Sequence, residues 1–180
     1  TLVLRPDPDA EKLGAVGLDR DGRVRRLVHS GASQPPERTF MFTGVHVLEP
    51  AIAEHLPAAG CIVRRTYIPL LERGALLSGH VDCGYFRDLG TPTRYVGANA
   101  ELVLGRARLP GIEPCASGVW IAPDAVVGTG CELGGGAVIG HRARIAPGVR
   151  VHRAVVLDGA TVARDVSDAI VCPDGTVVPA

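Results

Sequence analysis

Hydrophobic positions in the last third of the chain recur every six residues. The aliphatic members of this series are Ile121, Val127, Leu133, Ile139, Ile145, Val151 and Leu157. Most of them precede a small residue, such as Ala122 or Gly128. This period is typical of a parallel β-helix, in which each hexad supplies a short strand and a turn and three hexads make one coil. We therefore predict a β-helix of little more than two coils within residues 119–180.

The hexad pattern resembles that of the left-handed β-helix of hexapeptide-repeat proteins, and only this resemblance implies the handedness. Coil ends expose unpaired strand edges, which proteins usually cover or pair. We therefore expect a homo-oligomer formed through the β-helix, most simply a dimer. Hexapeptide acyltransferases use a histidine as general base, which makes His141 and His152 candidates. Neither has a carboxylate beside it in the sequence, so surface histidines are the favoured interpretation.

The amino-terminal part alternates short apolar runs with turn residues and helical spacings. The runs Ala15–Leu18 and Val24–Val28 flank an Asp-Gly turn and predict a β-hairpin. Further strands are predicted at residues 2–4, 40–48, 76–77 and 83–86, and helices at residues 50–55 and 62–71. Thr91 and Pro92 are typical of the N-cap and first turn of another helix. The pattern predicts an α/β architecture for this part.

The charge balance excludes several function classes. Lys and Arg number 19 and Asp and Glu number 19, so the formal net charge is zero at pH 7. We therefore expect no nucleic-acid partner and no binding to an acidic membrane surface.

No apolar run approaches the roughly 18 residues of a membrane span, and no signal peptide opens the chain, which favours a cytoplasmic protein. Because Thr1 precedes an apolar run typical of a strand interior, we also expect a fragment of a longer chain.

Three segments resemble the later part of sugar-phosphate nucleotidyltransferases, the bacterial NDP-sugar pyrophosphorylases that include mannose-1-phosphate guanylyltransferase-like proteins. The segments are residues 13–16 with the hairpin 19–24, Phe42–Pro50 with the core Thr-Gly-Val, and Gly84–Tyr95, which reads GYFRDLGTPTRY. The last segment is the most specific, with Phe86 at the family's usual Trp. The resemblance implies that residues 1–105 are the carboxy-terminal portion of a partial Rossmann-like catalytic domain, residues 106–118 a linker, and residues 119–180 the β-helix.

The resemblance also implies a reaction, in which a nucleoside triphosphate and a sugar 1-phosphate give a nucleoside-diphosphate sugar and pyrophosphate. By position, Asp88 matches the second metal-binding aspartate, and the metal implied is Mg²⁺, which typically takes one or two protein carboxylates. Gly14 matches the glycine whose backbone lies against the sugar, and Thr43 and Gly44 match the strand that lines that pocket. The alternative for Asp88 is an Asx-type turn or a charge at a helix terminus.

Two parts of the family pattern are missing. The glycine-rich nucleotide loop and the first metal aspartate are not in the 180 residues, and Val28-His29 stands where the sugar-binding Glu-Lys-Pro segment is expected. The leading hypothesis is the carboxy-terminal portion of a nucleotidyltransferase, which is not expected to turn over by itself. The second is a non-catalytic regulatory paralogue that senses a nucleotide sugar, and the third is a hexapeptide acyltransferase.

Overall fold

The fold is that of a computed structural model, which describes residues 1–27, 30, 31 and 38–180. Val28 and His29, which bear on the missing sugar-binding segment, lie outside the described residues. The chain divides into two compact units, Thr1–Gly84 and Tyr85–Ala180. The first unit is a mixed α/β structure, and the second combines one helix with curled β-sheets.

A six-stranded sheet forms the first unit. Its strands are β1 (Leu2–Arg5), β2 (Ala15–Leu18), β3 (Val24–Leu27), β4 (Ser30–Gly31), β5 (Arg38–His46) and β6 (Gly79–Val81), in the order β4-β3-β2-β5-β1-β6. All neighbours are antiparallel except β1 and β6. The described residues therefore show no clear Rossmann-like domain, because tight turns such as Asp19–Gly22 reverse the chain, whereas a doubly wound sheet needs crossover helices between parallel strands.

Short helices cover the first unit. They are α1 (Ala10–Leu13), a 3₁₀ helix (Pro50–His55), a π-helical turn (Val63–Tyr67) and α2 (Ile68–Glu72). Tyr67 is buried in the core together with Leu4 and Leu18. The predicted hairpin and the helix at 50–55 are confirmed, while the predicted helix at 62–71 is a π turn followed by an α-helical turn. The strand expected at 76–77 begins instead at Gly79, and residues 83–86 form no strand.

Parallel strands dominate the second unit. It contains helix α3 (Pro92–Val103) and strands β7 (Trp120–Ile121), β8 (Val126–Val127), β9 (Glu132–Gly134), β10 (Val138–Ile139), β11 (Arg144–Ile145), β12 (Arg150–Val156), β13 (Thr161–Val162), β14 (Val166–Val171) and β15 (Val177–Pro179). Ile121 lies opposite Ile139, three sequence hexads later, and Ile139 lies opposite Val156. Strand β15 is antiparallel to β14. A left-handed β-helix stays a prediction.

Helix α3 packs within the second unit, against β10, β12 and β14. The contact is close at Gly136, where an added Cβ would lie 2.7 Å from Ala100 Cα. The unit boundary before Tyr85 therefore places this helix with the curled sheets, whereas the sequence-based boundary fell at residue 105. That boundary concerns the catalytic domain of a whole protein and stays a prediction. No helix in the described part of the chain is both long and apolar enough to cross a membrane.

Candidate functional site

Gly14 connects helix α1 to strand β2. It ends the helix in the left-handed conformation, with φ 95°, which glycine adopts without the steric cost of a Cβ. The next residue, Ala15, lies opposite Met41 in β5. Gly14 is thus a helix-terminating residue next to the strand that carries Thr43 and Gly44.

Thr43 and Gly44 lie in a bulge of β5. Leu2 lies opposite His46 and Leu4 opposite Phe42, so the pairing with β1 is irregular between these two positions. The Thr43 hydroxyl donates to the Val3 carbonyl at 2.8 Å, which ties the bulge to β1. Gly44 has φ 83°, and an added Cβ would meet no atom within 4 Å. Bulges re-aim side chains and are frequent beside binding sites.

Asp88 lies in an irregular segment ahead of helix α3, not directly after a strand as expected. Its Oδ1 accepts a hydrogen bond from the Gly90 N–H at 3.1 Å, and its Oδ2 pairs with Arg94 Nη1 at 2.6 Å. The Thr91 hydroxyl oxygen accepts from the Arg94 N–H, as predicted for the N-cap. Asp88 therefore has the Asx-turn geometry of the structural alternative, although its side chain is 56% exposed.

Glu101 holds the segment that carries Asp88 against helix α3, a role that the sequence analysis missed. Its Oε2 accepts hydrogen bonds from the Tyr85 hydroxyl at 3.0 Å and Arg87 Nε at 3.1 Å, and its Oε1 pairs with Arg87 Nη2. The Arg87 hydrogen bonds lower the pKa of Glu101. The alternation of Tyr85 and Arg87 about Phe86 indicates a shared direction. Nothing in the sequence pointed to a carboxylate near the carboxy-terminal end of α3 as their common partner.

The described residues offer one candidate ligand for the Mg²⁺ that the family resemblance implies. They contain no cluster of three or more His, Cys, Asp or Glu side chains suited to a metal. Asp88 fits as one carboxylate ligand, because Mg²⁺ in phosphate-transfer sites takes few protein ligands and keeps water and substrate phosphates. Arg94 pairs with that carboxylate in this structure and would have to release it.

His141 is a surface residue, as favoured, and it has a carboxylate partner that is distant in the sequence. Its Nδ1 lies 2.8 Å from Asp124 Oδ1, and its ring stands edge-on to Trp120 with ring centroids 6.1 Å apart. The Asp158 carboxylate accepts from the His141 backbone N–H at 2.8 Å. Asp124, His141 and Asp158 follow one another at intervals of 17 residues, and the parallel pairing of β8 with β11 and of β11 with β13 brings this part of the chain together.

Sequence comparison relates the chain to two guanylyltransferases, while no profile of a known protein family matches it. It is 32% identical over 165 residues to "Mannose-1-phosphate guanylyltransferase" of Mycobacterium tuberculosis, covering 90% of this chain and 45% of that protein. It is 27% identical over 173 residues to "Probable mannose-1-phosphate guanylyltransferase 3" of Oryza sativa subsp. japonica, covering 92% and 45%. The chain thus spans about half the length of these relatives, and the matches support a sugar-phosphate nucleotidyltransferase-like relationship.

Proposed function

We propose that the chain is the carboxy-terminal portion of a sugar-1-phosphate nucleotidyltransferase similar to mannose-1-phosphate guanylyltransferases. The match covering 90% of the chain carries this proposal, because it extends through both compact units. The substrates would be a nucleoside triphosphate and a sugar 1-phosphate, with GTP and mannose 1-phosphate as the first pair to test. The products would be the nucleoside-diphosphate sugar and pyrophosphate.

Each predicted site residue has a separate role in this proposal. The left-handed Gly14 and the bulge at Thr43 and Gly44 would line the sugar pocket with backbone atoms, since neither glycine has a side chain to hold the substrate away. Asp88 would offer one carboxylate oxygen to Mg²⁺, which offsets the negative charge of the phosphates when bound. The Glu101 contacts with Tyr85 and Arg87 would keep Asp88 in position.

Assembly and architecture form the rest of the proposal. We infer a left-handed β-helix in residues 119–180, with self-association through its uncovered end. The antiparallel strand β15 borders β14 at one edge of the six-stranded sheet of the second unit, whereas β7 at the opposite edge pairs only with β10 within the described chain. Sedimentation of the intact protein should therefore give a dimer, and a monomer at all concentrations would contradict this inference.

Pyrophosphate release by the intact protein tests the activity. We expect release with a matching pair of triphosphate and sugar 1-phosphate, and a loss of at least about a hundredfold in Asp88→Asn, since a charged ligand to the metal is removed. Glu72→Gln, an exposed carboxylate in α2, is the matched control and should keep full activity. Binding of a nucleotide sugar without turnover would favour the sensing paralogue, and neither binding nor release with any pair would reject both.

The His141–Asp124 contact supports acyl transfer as a second candidate function. A carboxylate that accepts from Nδ1–H leaves Nε2 of a neutral imidazole as a base, the arrangement that general-base catalysis needs. The test is acetyl transfer from acetyl-coenzyme A to amino sugars, comparing His141→Ala with His152→Ala. Transfer that is lost only in His141→Ala would support this candidate, and absence of transfer in the unaltered protein would reject it.

A further inference from the structure

We propose that Arg94 is an exchangeable counter-ion of Asp88, which pairs with the carboxylate before the metal binds and with substrate phosphate afterwards. The inference rests on the proposed function, because it assumes that Asp88 binds Mg²⁺. Arg94 is not one of the predicted site residues, but its side chain forms an ion pair with one of them, Asp88.

The geometry makes Arg94 a direct competitor of a cation. Its Nη1 lies 2.6 Å from Asp88 Oδ2, the carboxylate oxygen that the Gly90 N–H leaves open. The backbone of Arg94 is fixed separately, through its N–H bond to the Thr91 hydroxyl at 3.3 Å. The guanidinium can therefore leave the carboxylate by side-chain rotation while the turn and the start of α3 stay intact.

The pair is exposed enough to exchange. The side chains of Arg94 and Asp88 are 44% and 56% exposed, and ion pairs between such exposed groups contribute little to stability. Arg87 is a useful contrast within the same segment, because two of its nitrogens are held by the Glu101 carboxylate, whose side chain is only 25% exposed. Arg87 is therefore held firmly by Glu101, whereas within the described residues the Arg94 side chain is held by its single exposed contact with Asp88.

The released guanidinium would have a new anion beside it. A Mg²⁺ ion at such a site keeps substrate phosphate oxygens among its ligands, and guanidinium groups bind phosphate with two parallel hydrogen bonds. Arg94 would thus exchange a carboxylate partner for a phosphate partner as the metal arrives. It would act as a phosphate-positioning residue that also discourages metal binding in the absence of substrate.

Mn²⁺ binding to the intact protein tests the competition without an activity assay. Bound Mn²⁺ is measured by electron paramagnetic resonance, first without nucleotide and then with pyrophosphate present. Arg94→Gln should tighten Mn²⁺ binding about two- to fivefold, because a weak surface ion pair no longer competes. It should weaken pyrophosphate binding about tenfold, and Arg94→Lys should restore part of that loss.

Whether Mn²⁺ binding tightens or weakens in Arg94→Gln distinguishes competition with the metal from a structural role of Arg94. A purely structural Arg94 would weaken Mn²⁺ binding when replaced, so weaker or unchanged binding in Arg94→Gln overturns the inference. Asp88→Asn distinguishes the two proposals. If it weakens Mn²⁺ binding while Arg94→Gln does not tighten it, only the counter-ion role fails, whereas no effect of Asp88→Asn removes the metal role itself. Arg164→Gln is the control. Arg164 is exposed and distant from Asp88 in the sequence, so its replacement should change neither Mn²⁺ nor pyrophosphate affinity.

Discussion

Strand pairing in the first unit combines near partners with partners far apart along the chain, whereas the parallel strands of the second unit pair at a nearly constant separation. Leu2 of β1 lies opposite Gly79, while Trp120 of β7 lies opposite Val138. The first unit therefore depends on closing one sheet around one core. The second is built mainly from contacts between neighbouring parallel strands, so its stability should be approximately a sum of local contributions. A core defect should spread through the first unit and stay local in the second.

The largest effect is expected from Tyr67→Ala in the first unit. Tyr67 is 2% exposed, and its hydroxyl lies 2.9 Å from His46 Nδ1. Loss of the ring should lower the free energy of unfolding by about 3–5 kcal/mol, measured by urea denaturation. Tyr67→Phe, which removes only the hydroxyl, should cost about 1 kcal/mol. Amide exchange should accelerate across the whole β1–β6 sheet, and acceleration confined to the π turn would contradict the comparison.

Ile139→Ala is the corresponding change in the second unit. Ile139 is fully buried, and its strand β10 lies between β7 and β12. The expected loss in unfolding free energy is about 2–4 kcal/mol, with faster amide exchange mainly in β7, β10 and β12. Val126→Ala, at an exposed position, should change stability by less than about 0.5 kcal/mol. Equal acceleration across β7–β15 would show that this unit is as cooperative as the first.

Gly136→Ala tests the packing of α3 on the repeats. Gly136 has φ 78°, and an added Cβ would lie 2.7 Å from Ala100 Cα, so we expect a loss of about 2–4 kcal/mol in thermal or urea unfolding. Gly148→Ala is the matched control, because φ is 75° there and an added Cβ meets no atom within 4 Å. It should cost about 1–2 kcal/mol, from the backbone conformation alone. Equal losses would mean that the helix moves aside without cost.

The smallest effect is expected from Glu101→Gln, at about 1 kcal/mol or less at pH 7. Because the Arg87 hydrogen bonds lower the pKa of Glu101 below its ordinary 4.5, the stabilising contribution is complete above that value. It is lost as pH falls through the lower pKa of the folded protein. The stability difference between Glu101→Gln and the unaltered protein should therefore shrink under acid, and a difference that grows below pH 4.5 would contradict this.

Prediction from sequence succeeded best where the determinants are local. The hairpin around Asp19–Gly22 and the helix capped by Thr91 depend on residues within a few positions of one another, and both are present. The mostly antiparallel sheet of the first unit, which includes pairings such as Leu4 with Phe42, was not predicted beyond the hairpin. Short apolar runs are compatible with either direction. The prediction of a strand at residues 83–86 was wrong, because no described strand pairs with this segment.

The candidate site divides in the same way. Gly14 and Asp88 were selected from local motifs, and their roles in binding stay predictions. The ion-pair partners of the residues in and near the candidate site could not be identified from the sequence. They are Arg94 for Asp88, Glu101 for Arg87 and Asp124 for His141. These pairs depend on side-chain direction and, for His141, on the parallel pairing of β8 with β11.

The sequence alone determined the six-residue period of the last third, the cap of α3 and the relationship to nucleotidyltransferases, because each of these is written in residues at short and regular spacing. Tertiary structure decided strand direction in the first unit, the docking of α3 beside Gly136 and the ion pairs around the predicted metal ligand. A charged side chain such as Arg94 can reach several partners from one backbone position. Only the folded surroundings select the carboxylate that it meets.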